Sequence, residues 1–443
     1  MTSAPVSTDE RSKLFLNLTT TQTVCFVLFL YFIVRLPWLM TLPIDQAPDE
    51  PNHFWVVQYI ARHMSLPTFE VVHNTGPAAE YGALPPLGYI PHVLLTALVP
   101  DNLASTISRL GSLIIGAAVP WVAVILGKEL FPAYRYLALA LPLLVVFHPQ
   151  LVFVNSYTNN DSMATALASV IIYMLVRGVK NGLSVRRAAA IGALFGILGL
   201  SKHTGLSLGP AVLSGITIAG WANTLSAVQI LSRMLAFCAA FITACGWFFV
   251  HNYFEFKGDV LGTKTMYESW ITILPREHGQ VVHPWPRASQ IGWWRYVFFD
   301  YVGLFGYMDR YMWRPVYFIY LGYFVAAIAG WCNQKFRTSL AALTLEPRRN
   351  ESVADPMRKE TAVWILIAAF PLCNLLANLA ATITNVTGPH GRYLFPSEVC
   401  ILALTIAGLG RLKIGKALVI SLVALNLIVT AAVWICWYMP GQH

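Results

Sequence analysis

The polar residues of this chain gather in short runs, and the densest is Asp45-Gln46-Ala47-Pro48-Asp49-Glu50-Pro51-Asn52-His53-Phe54. Adjacent carboxylates between two prolines, followed by an amide and an imidazole, have the makings of a proton-abstracting site: a base and groups to orient its partner. The competing reading is a helix start, with Pro51 in the first turn, Asp49 or Glu50 before it as the cap and a solvated acid beside it. On these residues alone the two are evenly matched. A second run, Glu80-Tyr81-Gly82-Ala83-Leu84-Pro85-Pro86-Leu87-Gly88-Tyr89, sets a diproline between Tyr81 and Tyr89, which either shapes a groove or turns the chain. The third is Asn155-Ser156-Tyr157-Thr158-Asn159-Asn160-Asp161. Asp161 precedes an apolar helical stretch and reads as its cap before it reads as a partner of Asp49 in a shared polar site.

Cations complete the set. Lys202-His203 sits in the tight turn Ser201–Gly205 between two apolar stretches. A basic residue at membrane level is costly and calls for an anionic partner, of which a lipid phosphate is the obvious one; a lysine snorkelling to headgroups is the plainer reading. In Gly388-Pro389-His390-Gly391-Arg392-Tyr393-Leu394-Phe395-Pro396, Arg392 offers a fork suited to phosphate oxygens, or else belongs to an interfacial Arg-Tyr turn. The run from His278 to Pro286, with His283 and Trp285, suggests ring stacking on a sugar. No HExxH and no CxxC occurs, and all seven cysteines fall inside or at the ends of apolar stretches. They read as small buried hydrophobes, not as zinc or redox sites.

The elements that must position these residues are membrane helices. The 443 residues are 56% hydrophobic and only 12% charged, about half the charge of a soluble domain. The net charge of +9 is not a nucleic-acid signal, because the basic residues lie in short loops between apolar spans. Eleven spans are expected, near 21–42, 104–126, 136–154, 162–178, 187–201, 203–220, 229–250, 314–332, 361–385, 394–410 and 416–437. A cytoplasmic N-terminus then places 18 of the 30 basic residues inside against 7 of the 21 acidic ones, including Arg11, Lys13, Arg177, Lys180, Arg186 and Arg187. Every polar run described above falls outside. Residues 86–100 are expected to lie along the outer face, and the aromatic 291–310 at the interface. Two long outer loops follow, about 43–103 and 251–313, with a cytoplasmic linker at about 333–360. The first apolar run carries no cleavable signal pattern. One transmembrane domain over 1–443 is expected.

With these residues in this order, the chain resembles the GT-C superfamily of polyprenyl-phosphate-dependent membrane glycosyltransferases, in the branch of protein O-mannosyltransferases and lipid A aminoarabinose transferases. The resemblance rests on Asp49-Glu50, Pro85-Pro86-Leu87, Asn160-Asp161, Lys202 and Gly391-Arg392-Tyr393, and spans about residues 20–400. It implies an all-α polytopic bundle with juxtamembrane helices in the first outer loop. It also implies inverting transfer of a sugar from a polyprenyl-phosphate donor to a hydroxyl of a glycan, lipid or protein at the outer face. Asp49 would be the general base, with Glu50 beside it. Lys202, His203 and Arg392 would hold the donor phosphate, and Asn52, His53, Tyr81, Tyr89, Asp161, His390 and Tyr393 would position substrate.

No cofactor is expected; a divalent metal held by Asp49, Glu50 and Asp161 is the lesser alternative. The implied place is the cell envelope, in a bacterial inner membrane, with the site on the periplasmic or extracellular side. No large C-terminal soluble domain of the kind many such enzymes carry is expected, and acceptor recognition is expected in the two outer loops. Asn385-Val386-Thr387 is a glycosylation sequon. The rival class is a transporter or flippase of a lipid-linked sugar, which calls for charges buried at mid-membrane in broken helices and for inverted repeats. Few such charges and no convincing repeat are legible, and a purely structural subunit leaves the acids and cations unexplained.

Overall fold

The structure, a computed structural model, describes residues 19–278, 280–283, 285–333, 354–384 and 387–439. Most of the 333–360 linker, Asn385 and Val386 of the sequon, Gly279 and Pro284, and the N-terminal Arg11 and Lys13 lie outside the described residues.

The described residues are predominantly helical. Helix α1, Thr20–Thr41, begins with a reciprocal cap: the Thr19 hydroxyl accepts from the Gln22 N–H at 3.2 Å, and the Gln22 side chain accepts from the Thr19 N–H at 2.9 Å. That satisfies two of the donors a helix start leaves free. The first long loop folds into α2, Glu50–His63, α3, Phe69–Thr75, and α4, Ile90–Thr96. Helices α5, Asp101–Gly116, and α6, Ala118–Leu130, run on as one span of 30 residues. Then come α7, Arg135–Phe147, α8, Pro149–Val154, α9, Asp161–Asn181, α10, Val185–Ser201, α11, Gly209–Ala222, and α12, Ala227–Glu255. The second long loop holds α13, Thr263–Trp270, the hairpin β1–β2 (Arg276–Glu277 and Gln280–Val281), α14, Ile291–Val302, and the hairpin β3–β4 (Leu304–Phe305 and Arg310–Tyr311). Helices α15, Arg314–Cys332, α16, Ala354–Ile383, α17, Glu398–Gly410, and α18, Gly415–Trp437, complete the bundle.

Among the described residues, nine helices are long and apolar enough to cross a membrane, so the protein is a polytopic, all-α integral membrane protein. The remaining two expected spans are not among them. Residues 185–201 form a helix of 17 residues. The stretch 136–154 is not one span: it breaks between Phe147 and Pro149, because proline supplies no N–H and its ring excludes the preceding turn. The carbonyls of Val145 and Val146 freed there accept from Arg35 of α1 at 3.1 and 2.7 Å, while the Arg35 Nε donates to Asn155 at 3.2 Å. Arg35 is completely buried, and Arg109, Asp300 and Glu398 are buried too.

Residues 291–310 pack into the bundle on one side: Asp300 and Trp293 are fully buried, with Asp300 accepting from Gln150 at 3.2 Å and the Trp293 indole donating to Thr382 at 3.0 Å. The two ends of the bundle differ. At one, Lys128 donates to Thr20 at 2.8 Å, and Arg177 and Lys180 flank Glu129. The other gathers the carboxyl ends of α1 and α10 and the starts of α9 and α17 around buried acid–cation pairs.

Candidate functional site

The site is built where α1 ends and α2 begins. Asp49 occupies the cap position of α2, in the left-handed region (φ 60°), and its side chain makes no cap bond. Aspartate tolerates this conformation better than most residues, at a cost of order 1 kcal/mol. The carboxylate instead accepts from the Arg392 Nη2 at 2.7 Å. Arg392 lies in the 3-10 turn Gly391–Ser397 that leads into α17. Its Nη1 donates to the Tyr157 hydroxyl at 3.3 Å, and its backbone N–H donates to Asp300 at 3.2 Å. The turn comes close because Gly391 has no side chain: a Cβ there would lie 2.0 Å from the backbone nitrogen of Tyr301.

Asp161 likewise caps nothing. Asn160 holds the cap position of α9, and the Asp161 carboxylate accepts from the Lys202 ammonium at 2.5 Å. The expectation of a cap is thereby corrected: the bond to a cation just past the end of the next helix outcompetes the local one. Lys202 also stands over the Tyr393 ring, 5.2 Å from its centre, so the two pairs are joined through the Arg392-Tyr393 step. Burial raises the Asp49 carboxyl, but the charge and hydrogen bond of Arg392 outweigh burial and hold it below the ordinary aspartate value.

The wall beside Asp49 comes from the first loop. His53 bonds through Nδ1 to the Tyr89 hydroxyl at 2.6 Å and packs on the Tyr81 ring at 4.7 Å. Burial depresses His53 to about 3 against the pull of Asp49, so the ring is neutral at working pH. Asn160 donates to the Tyr89 oxygen at 3.4 Å; with Tyr89 donating to His53 Nδ1, the imidazole proton is on Nε2. Asn52 donates to Glu80 at 3.0 Å. Burial and then the Asp49 charge push Glu80 up to about 7, with Asn52 opposing.

Glu50 goes elsewhere. Arg109 Nε and Nη2 grip its two oxygens at 2.8 and 2.7 Å, and the Thr158 N–H adds a third bond at 2.9 Å. His203 makes no hydrogen bond through its buried Nδ1 among the described residues. His390 lies 3.7 Å from Asp300 and packs edge-on against Tyr393. The Trp285 ring stacks on Trp270 at 5.2 Å and lies against Gly388, so its faces serve packing, not a free sugar platform.

Residues from four separate stretches of chain therefore meet in one cluster: Asp49, Asp161, Lys202 and Arg392, ringed by His53, Tyr81, Tyr89 and Tyr393. From the sequence, Arg109 and Asp300 have no place in the site, and Glu80 and Tyr157 only a place in a polar run. An arginine inside an otherwise apolar span is itself a signal, and it applied to Arg109. Among the described residues no group of three or more His, Cys, Asp or Glu side chains could hold a metal ion.

Comparison with protein-family models and with characterised proteins gives no match. Among solved structures, the chain is similar to the crystal structure of ArnT from Cupriavidus metallidurans in the apo state, at 14% identity and a TM-score of 0.36, covering 92% of this chain and 78% of that one. It is similar also to ArnT bound to undecaprenyl phosphate, at 13% identity and a TM-score of 0.35, covering 93% and 78%.

Proposed function

We propose that the protein is an inverting glycosyltransferase that moves a sugar from a polyprenyl-phosphate donor to an acceptor hydroxyl. The observation that carries this is the convergence of Asp49–Arg392 and Asp161–Lys202 at one end of a membrane bundle. A transfer of this kind asks the protein to hold an anionic leaving group, orient an acceptor and take one proton. Two cations and a nearby carboxylate meet those needs. The excess of basic residues at the opposite end supports an outer-face site, by the positive-inside rule.

In this reading the acceptor O–H gives its proton to Asp49 while its oxygen bonds to the anomeric carbon from the face opposite the phosphate. The anomeric C–O bond to phosphate breaks, and its electron pair leaves on the phosphate oxygen held by Arg392 and Lys202. The four charges cancel in the free site, so a donor phosphate must draw both cations from their acids. Arg392 shared with phosphate neutralises Asp49 less, and the carboxylate becomes the stronger base only when donor is present. Neutral His53 presents its Nε2–H as a hydrogen-bond donor, and Glu50 anchors the start of α2 through Arg109.

The flippase reading gains the broken helix at His148, but Arg35 there has every nitrogen engaged by protein and none left for cargo. The test compares surface glycans and glycoproteins by mass spectrometry in host cells lacking the protein and complemented with wild type or Asp49→Asn at equal level. A sugar restored by wild type alone is the expected result. Restoration by both would overturn the base assignment and turn attention to transport.

A further inference from the structure

The β3–β4 hairpin reaches the site from the second long loop. It is fixed from below by buried bonds: the Leu304 N–H donates to Gln150 at 2.8 Å, and the Gly306 N–H donates to the Tyr438 hydroxyl at 3.1 Å. Its tip carries two residues with positive φ, Gly306 at 65° and Met308 at 64°; for methionine that conformation is strained. Tyr307 stands between them. Its hydroxyl meets the main chain of Asp49, and it faces the charges of Asp49, Glu80 and Arg392, yet it remains 52% exposed. The Asp49 side chain is itself 21% exposed, the most open of the four charged groups.

Holding a large aromatic in place on a strained turn costs conformational entropy, and this ring recovers little of it by burial. A tethered, half-open ring beside an accessible carboxylate is a contact surface. The ligand chemistry that uses both together is a pyranose, whose C–H face packs on an aromatic ring while a hydroxyl at its edge reaches the acid. We propose that Tyr307 is the platform on which a pyranose acceptor lies, with one hydroxyl turned to Asp49. The inference rests on the transferase reading and narrows its acceptor to carbohydrate. The Trp270–Trp285 pair, closed on itself, does not offer the same surface.

The test uses the full chain in lipid nanodiscs as wild type, Tyr307→Ala and Tyr307→Phe, matched by thermal melting. Three probes are applied: polyprenyl phosphate, a panel of immobilised pyranosides, and serine- and threonine-containing peptides. Wild type is expected to bind polyprenyl phosphate and at least one pyranoside but no peptide. Tyr307→Ala should lose about tenfold in pyranoside affinity, and Tyr307→Phe, which keeps the ring, should stay within about threefold. Polyprenyl phosphate binding should be the same in all three. Equal pyranoside binding by Tyr307→Ala, or binding of peptides and no pyranoside, overturns the platform. Retained polyprenyl phosphate binding without any pyranoside also sinks the platform and leaves the transferase reading standing. No polyprenyl phosphate binding by wild type removes both.

Discussion

Asp49 and Glu50 are consecutive, Asp49 part-exposed and Glu50 buried, and each faces an arginine from a distant part of the chain. Their surroundings differ in one respect. Around Glu50 everything is used: both oxygens are gripped by Arg109, a backbone N–H adds a third bond, and the remaining Arg109 nitrogen donates to the carbonyls of Leu39 and Leu42. Around Asp49 much is left over. The Arg392 Nε, the Asn160 Oδ1, the His390 Nδ1 and one Glu80 oxygen are buried without a hydrogen-bond partner among the described residues, and Asp49 itself is in the left-handed region. A buried polar group without a partner costs about 1–3 kcal/mol. Several in one place, next to backbone strain, mark the region where folding yields to something else, whereas the Glu50–Arg109 pair fixes the entry of α2 and needs no ligand to be complete.

The largest effect expected from this contrast is on transfer. Asp49→Asn should lower sugar transfer by roughly 10² to 10⁴ while the protein melts close to wild type. The paired measurement of glycan output and melting temperature separates the two acids; a variant that transfers normally but melts early would reverse their roles.

Next in size is the sealed pair. Glu50→Ala or Arg109→Ala leaves a buried charge alone and should cost about 3–5 kcal/mol of stability, whereas replacing both together with leucines should recover most of it. Thermal unfolding in detergent reads this directly. If the single variants fold and melt normally but lose transfer, Glu50 belongs with the chemistry after all.

The open pairs should respond through the donor. Lys202→Ala and Arg392→Ala each remove a charged hydrogen-bond donor, and each should weaken polyprenyl phosphate binding by roughly 10- to 100-fold. Arg109→Ala, in whatever fraction folds, should not. Equal affinity for polyprenyl phosphate in wild type and both cleft variants would detach the cations from the phosphate.

The contrast between the acids was not legible in the sequence, although much around it was. Apolar length alone marked the helices, because lipid leaves few other solutions for a backbone, and the polar runs stood out against that background. Asp49, Lys202 and Arg392 were singled out by type and position. What failed was pairing. Asp161 looked like a cap because a local bond is the default for an acid at a helix start, and only the approach of α10 brings Lys202 near enough to compete. Arg35 and Arg109 were hidden inside spans judged by their apolar average. The break at Pro149 was visible as a residue, but its rescue by Arg35 depends on a helix more than 100 positions away. Tyr307 carries no sequence signal at all, since one tyrosine in an aromatic-rich loop says nothing of where a hairpin will put it.

The smallest expected effect lies at the margin of the open region, in Glu80. Its ordinary value of 4.5 rises to about 7 through burial and the neighbouring Asp49 charge, so the folded protein favours the neutral acid. The associated stability is fully present below pH 4.5, declines as pH rises from 4.5 toward 7, and is gone above that. The slope is at most about 1.4 kcal/mol per pH unit. Glu80→Gln, neutral at every pH and able to keep the bond from Asn52, should lose that slope and be the more stable protein above pH 7. Melting temperatures of the two proteins between pH 4.5 and 8 decide it. Parallel profiles would mean that Glu80 stays charged when folded, and the cleft would then carry an additional anion for the donor phosphate to overcome. Diverging profiles would leave Asp49 as the charged member of the two, which is the arrangement a base beside an anionic donor requires.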